Sequence, residues 1–239
     1  MFGPLVCGKS RIILQQPQLL HIVRFNWRQL SERNLRRMAT VEIEREDVKL
    51  PQDQAKRLAF VLYNVLTPEE CEKYIKHTER KGYHQALLGI KQKLVTEFRN
   101  SDRCFVDSLE GADKLWQRIK PFIPAQWNRH QAVGLNERLR FLRYDPGHFF
   151  KPHYDGKHKR ENGERSFFSL QLYLNEGFEG GSTTFLSRHD TERLERVEVV
   201  PKTGSVLIFQ HDIYHEGSEL IKGRKYAMRS DVMYQPLQP

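Results

Sequence analysis

Apolar residues recur at helical spacing in two stretches of the first half of the chain, whereas the second half reads as short β-type runs. Thr67-Pro68-Glu69-Glu70 offers a hydroxyl cap, proline at the first helical position and a glutamate three residues after the cap, the parts of a capping box. Cys71, Tyr74, Ile75 and Thr78 then share one face, and Gly82 ends the predicted helix. A second helix is predicted after Ser108, with Glu110 in its first turn and Ala112, Leu115, Trp116 and Ile119 on one face before Pro121. From residue 139 the pattern changes. Leu139 to Tyr144, Phe167 to Leu174, Val197 to Val200, Ser205 to Phe209 and Tyr226 to Tyr234 are β-rich runs. Turn sequences such as Asp145-Pro146-Gly147 and Pro201-Lys202-Thr203-Gly204 separate them. Helices first and short strands afterwards predict an α+β chain whose sheet part is a sandwich or barrel.

Length and composition narrow this further. A chain of 239 residues with 38% apolar content is long enough for one domain with a real core plus an extension. It contains no apolar run approaching the ~20 residues needed to cross a bilayer as a helix. Three cysteines, Cys7, Cys71 and Cys104, are odd in number and never in a C-x-x-C pair, so neither a disulfide framework nor a thiolate zinc site is expected. The net charge of +9 is uneven: residues 1–38 hold seven basic side chains against the single acid Glu32, leaving only +3 on the body. That argues against a nucleic-acid partner for the body.

The expected organisation is therefore a basic, disordered extension or targeting segment over 1–38 and a single domain over 39–239, with Met38 also suited to be an internal start. The extension lacks the apolar core and small-residue cleavage site of a secretory signal, and Gln238-Pro239 is not a retrieval sequence. The expected location is cytoplasmic, or mitochondrial if residues 1–38 act as a transit peptide, with no membrane partner.

His153-Tyr154-Asp155 sets an imidazole and a carboxylate two residues apart, and in extended chain these point to the same side. A third ligand is expected from Gln210-His211-Asp212-Ile213-Tyr214-His215-Glu216-Gly217, which follows an apolar strand. Two histidines and one carboxylate make the facial triad of non-haem Fe(II) oxygenases, leaving three coordination positions open. Ten residues after His215, Lys225 enters a strand in which Lys225, Ala227 and Arg229 share a face, and a cation buried there needs an anionic partner.

Several ordered motifs extend the pattern. Arg143-Tyr144-Asp145-Pro146-Gly147 leads into His153-Tyr154-Asp155; Tyr173-Leu174-Asn175 and Gly180-Gly181-Ser182-Thr183-Thr184-Phe185 follow; then come His215 and Lys225. In these motifs and their spacing the chain resembles the 2-oxoglutarate- and Fe(II)-dependent dioxygenases, specifically the prolyl 4-hydroxylase-like catalytic domain, from about Phe60 to Tyr234. The resemblance implies a double-stranded β-helix (jelly roll) core with supporting N-terminal helices. It implies that His153, Asp155 and His215 hold Fe(II), and that Lys225 pairs with the distal carboxylate of 2-oxoglutarate with help from the Tyr173 hydroxyl. Tyr144 would line the same pocket. Dioxygen is the implied second co-substrate and ascorbate the implied reductant. Hydroxylation is implied over halogenation, because the related halogenases lack the carboxylate that Asp155 supplies here.

Two departures bear on these roles. Arg229 stands where most relatives have a small or hydroxyl residue, so it could share or replace the Lys225 role, for which spacing favours Lys225, or bind an acidic substrate. His211 is an alternative metal ligand four residues before His215, although the His-Glu-Gly context and the spacing to Lys225 favour His215. His148 and His158 are expected on surface loops, Trp116, Trp127 and Phe122 in the core or a groove wall, Gly180-Gly181 in a turn, and the basic run Lys157 to Arg160 in solvent. The expected activity is hydroxylation of an unactivated C–H bond, with a prolyl residue of a peptide or protein as substrate and a free amino acid or small metabolite as the alternative. A catalytically silent jelly-roll binding module and a zinc hydrolase are the competing classes; the first would lack a triad member or the cation, and the second has no task for Lys225 and Tyr173.

Overall fold

The computed structural model describes residues 42–87, 95–188 and 194–237. Contacts group the chain into residues 1–40 and 41–239, so the expected extension and its targeting role lie outside the described residues. Both predicted helices form. Helix α1, Pro68–Lys81, begins with the full capping box: Glu70 N–H donates to Thr67 Oγ1 at 3.2 Å and Thr67 N–H to the Glu70 carboxylate at 2.9 Å. Helix α2, Leu109–Ile119, is capped by Ser108, which accepts from Gly111 N–H at 3.0 Å, and buries Ala112, Leu115, Trp116 and Ile119.

The strands pair antiparallel in two principal sheets. The larger runs in the order Glu44–Asp47, Ala59–Tyr63, Val206–Gln210, Arg165–Tyr173, Lys225–Pro236, Arg138–Tyr144, Asp102–Asp107 and His84–Gln85. The smaller runs Arg196–Val199, Thr183–Leu186, His215–Gly217, Phe149–His153 and Arg99–Asn100. The N-terminal half is thus not only helical, as the pattern suggested. Ala59–Tyr63 pairs with Val206–Gln210 inside the large sheet, because its apolar run has two faces to bury.

Alternation along each central strand separates two environments. Phe168, Leu170, Leu172, Met228 and Val232 pack beneath the helices with Cys71, Leu115 and Trp116. Tyr173, Ala227, Leu207 and Phe209 face the other way and pack against Phe185 of the small sheet. The two sheets therefore lie face to face, and polar residues on these inner faces become the walls of a site. Trp116 is core, and Trp127 packs edge-on against Phe168 at 4.9 Å.

One turn holds this arrangement at its end. Gly204 has φ +77°, and its carbonyl accepts from both Val65 and Leu66 N–H at 3.1 Å. A Cβ there would meet the Leu66 carbonyl oxygen at 2.0 Å. Gly204→Ala is expected to cost about 2 kcal/mol or more from the left-handed backbone and the clash together, read as a lowered midpoint in thermal or urea unfolding.

Candidate metal centre

His153 ends the strand Phe149–His153, and His215 opens His215–Gly217; the two face each other in register in the small sheet. Each ring is fixed from behind. His153 Nδ1 lies 2.7 Å from the Lys151 carbonyl and His215 Nδ1 2.9 Å from the Ile213 carbonyl, so each Nδ1–H donates to backbone and each Nε2 lone pair faces inward. Phe150 stacks on His153 at 3.6 Å, and Phe209 meets His215 edge-on at 4.7 Å.

Asp155 follows two residues after His153, its backbone N–H bound to the His211 carbonyl at 3.0 Å. Its Oδ1 lies 3.6 Å from His153 Nε2 and its Oδ2 3.8 Å from His215 Nε2. One ligand atom from each of the three residues falls within 4.8 Å of the others. The set is hard and nitrogen/oxygen only, with no sulfur, and both imidazoles are held in the metal-binding tautomer, so it fits a divalent first-row ion such as Fe(II).

The carboxylate is positioned as tightly as the rings. Ser169 Oγ donates to Asp155 Oδ2, and Arg229 pairs with Oδ1 at 2.8 Å. Burial pushes the Asp155 carboxyl upward, but Arg229, His215 and His153 outweigh it and hold the group well below the usual carboxylate range. Burial lowers His215 to about 4 despite the attraction of Asp155, so the imidazole is neutral and able to ligate at physiological pH.

His211, the alternative ligand, is committed elsewhere. It is buried, its Nδ1 lies 2.9 Å from Ser169 Oγ and its Nε2 2.7 Å from Ser166 Oγ, so neither nitrogen is offered to the centre. It instead braces Ser169, which braces Asp155. His148 and His158 sit in loops as expected, though half-buried: Leu220 N–H donates to the His148 carbonyl and Ser166 N–H to that of His158. Arg160 of the basic run is likewise not simply solvated, being paired with Glu137 and Glu164.

Lys225 opens the strand Lys225–Pro236 and is only 3% exposed. Its Nζ donates to the Gly181 carbonyl at 2.5 Å and sits 5.1 Å and 5.5 Å from the Tyr144 and Tyr173 ring centres. Among the described residues no carboxylate lies within ion-pair distance of it, and burial lowers its amine to about 7. A buried ammonium without an anion is costly, so this pocket fits a ligand carboxylate. Tyr173 donates its hydroxyl to Thr183 Oγ1 at 2.8 Å, and it is Thr183 that lines the cavity. Gly181, read as a turn residue, has φ +67°, and a Cβ there would crowd Leu220 Cδ1 at 3.0 Å.

Arg229 faces the metal site rather than Lys225, and it is opposite Arg140 in the strand register. Asp231 lies between them, accepting from Arg140 at 2.9 Å and 3.0 Å and standing 3.6 Å from Arg229. Arg99, Arg140 and Ser169 are site residues the motifs did not point to, and Thr183, although inside the Gly180 to Phe185 motif, was assigned no role there. For Ser169 the signal was there, since strand alternation sets it on the Tyr173 face; for Arg99, on a two-residue strand, there was none.

Residues 139–230, which carry the triad and Lys225, match the 2OG-Fe(II) oxygenase superfamily, and the fold is similar to that of prolyl 4-hydroxylase-like proteins with a double-stranded β-helix core. The chain is similar to prolyl 4-hydroxylase 1 of Arabidopsis thaliana, with 27% identity over 189 residues that cover 70% of this chain and 66% of that protein. It is also similar to probable prolyl 4-hydroxylase 11 of the same plant, with 29% identity covering 63% of this chain and 55% of that one. The chain thus spans less than two thirds of the length of these curated relatives. In fold it resembles the viral collagen prolyl hydroxylase of Paramecium Bursaria Chlorella virus-1, solved with 2OG, at a TM-score of 0.53 and 21% identity, covering 74% of this chain and 96% of that one.

Proposed function

We propose that the chain is a 2-oxoglutarate- and Fe(II)-dependent hydroxylase acting on a prolyl residue of a peptide or protein. The observation that carries this is the convergence of three ligand atoms from His153, Asp155 and His215 within 4.8 Å, beside a buried Lys225 with no carboxylate partner among the described residues. Fe(II), 2-oxoglutarate and dioxygen would supply the oxidising power for hydroxylation with release of succinate and CO2, and ascorbate would keep the iron ferrous.

The chain's own residues do the rest. His153 and His215 present neutral Nε2 donors held by backbone carbonyls, and Asp155 presents a carboxylate whose charge is kept by Arg229 and Ser169. Lys225 would hold the distal carboxylate of 2-oxoglutarate, with Thr183, oriented by Tyr173, and Tyr144 lining its pocket. The phenyl rings of Phe150 and Phe209 exclude water from the faces of the two imidazoles.

The prolyl substrate is supported by the prolyl hydroxylase names of the relatives and by the modest body charge, which gives no purchase on a polyanion. The same reading carries a cytoplasmic or mitochondrial location, testable with a fluorescent fusion of the full chain. The experiment for the activity is incubation of the enzyme with Fe(II), 2-oxoglutarate and ascorbate against a library of proline-containing peptides. The expected result is the gain of one oxygen atom on some peptides, with one succinate formed per oxygen. No oxygenated peptide, from enzyme that shows the visible Fe(II)–2-oxoglutarate charge-transfer band, would remove the peptidyl substrate.

A further inference from the structure

Among the described residues, the cavity that holds the triad is lined by Arg99, Arg140, Lys225 and Arg229 and by two acids, Asp155 and Glu216. Each acid has an occupation. Asp155 belongs to the metal set, and Glu216 is paired with Arg196 at 2.5 Å. Lys225 is accounted for by 2-oxoglutarate. Arg140 and Arg229, directly opposite in the register, are served by Asp231, and Arg229 also by Asp155 at 2.8 Å.

Arg99 is the clearest surplus. It is 9% exposed, its Nε donates to Ser101 Oγ at 3.0 Å, and among the described residues no carboxylate lies within ion-pair distance. Its guanidinium lies 4.6 Å over the Phe150 ring, the same ring that stacks on His153. The cation and the candidate ligand His153 thus both pack on the Phe150 ring. Arg229 adds a buried Nε with no hydrogen-bond partner among the described residues. Burying guanidinium groups without an anion costs several kcal/mol in the general case, and a guanidinium fork matches a carboxylate in two parallel hydrogen bonds.

From this we infer that the substrate carries a carboxylate close to the carbon that is hydroxylated, and that Arg99, with Arg140 and Arg229, receives it. In a peptide this is an acidic side chain flanking the reacting proline; in a small molecule it is the substrate's own carboxylate. The inference rests on the hydroxylase reading for where the substrate sits, and its principal test does not depend on turnover.

Paired peptides that differ only in Glu or Gln beside a proline are titrated calorimetrically into the full chain with saturating 2-oxoglutarate, without oxygen. The Glu form is expected to bind about tenfold more tightly or better at low salt, with the difference shrinking as salt rises. In Arg99→Glu the preference reverses toward a Lys-containing peptide, and in Arg99→Gln it disappears. A second arm adds free amino acids and their amides: a free carboxylate that binds while its amide does not, with both peptides inert, assigns the small-molecule source. Equal binding of Glu and Gln peptides, together with equal binding of acids and amides, overturns the inference, and this comparison uses the unaltered protein. A charge-transfer band with no carboxylate preference would sink the inference alone. A carboxylate preference with no band would leave the anion site standing and sink the oxygenase reading.

Discussion

Asp155→Ala is expected to abolish 2-oxoglutarate turnover, reducing it by about a thousandfold or to background, while the protein remains folded. Removing the one anionic ligand leaves two neutral imidazoles, and a bound metal ion contributes several kcal/mol to the chemistry it promotes, each ~1.4 kcal/mol being tenfold in rate. Asp155 is also the partner of Arg229 and of Ser169, so its loss leaves a guanidinium facing the cavity without its 2.8 Å contact. That cost is moderated because Asp231 stands 3.6 Å away on the same strand, and because the cavity can admit water or buffer anion. The two effects separate experimentally. Fe(II) binding, followed by the charge-transfer band, should vanish in Asp155→Ala, whereas thermal unfolding of the metal-free protein should shift by only a few degrees. Retained turnover in a folded Asp155→Ala would exclude the residue from the metal set; Asp155→Glu, keeping the charge but moving it by one methylene, should recover metal binding in part.

How far the sequence led depends on whether chemistry was written along the chain or across it. His153 and Asp155 are two residues apart in one strand direction, so their convergence is a property of local backbone and was readable. Both helices were readable for the same reason, each having a hydroxyl cap and a face of four residues. The choice between His211 and His215 could be made only by motif spacing. Its physical reason, that Ser166 and Ser169 take both nitrogens of His211, needs the neighbouring strand Arg165–Tyr173. Likewise Arg229 was expected to point toward the Lys225 pocket because they share a face. Four residues along a strand is more than 10 Å, however, which carries Arg229 from the Gly181 end of the face to the Asp155 end. Arg99 was invisible, since a two-residue strand has no period and only packing reveals that, among the described residues, no carboxylate pairs with it.

Lys225→Ala is expected to weaken 2-oxoglutarate binding by about a hundredfold to a thousandfold, the cost of leaving a buried carboxylate without its cation. The conservative variants make the argument sharper. Burial has moved the Lys225 amine from an ordinary 10.5 to about 7, with no carboxylate among the described residues to raise it again. A ligand carboxylate would favour the charged form, so binding of 2-oxoglutarate is coupled to protonation of Lys225. The sign follows: below about pH 7 the lysine is already charged and affinity is flat, whereas above it each ligand bound must bring a proton, and affinity falls by up to about tenfold per pH unit. Calorimetry at pH 8 in buffers of different ionisation enthalpy should therefore show uptake of close to one proton per 2-oxoglutarate. In the ligand-free protein the same shift makes stability rise from about pH 7 toward 10.5, because the unfolded lysine keeps its proton longer than the native one, and Lys225→Met should flatten that slope. Lys225→Arg keeps its charge throughout, so it should bind 2-oxoglutarate without the fall above pH 7, provided the longer fork is accommodated beside Gly181. A wild-type affinity that does not change between pH 6 and 9, or that changes equally in Lys225→Arg, would show that the proton sits elsewhere and that Lys225 is not the group that meets the carboxylate.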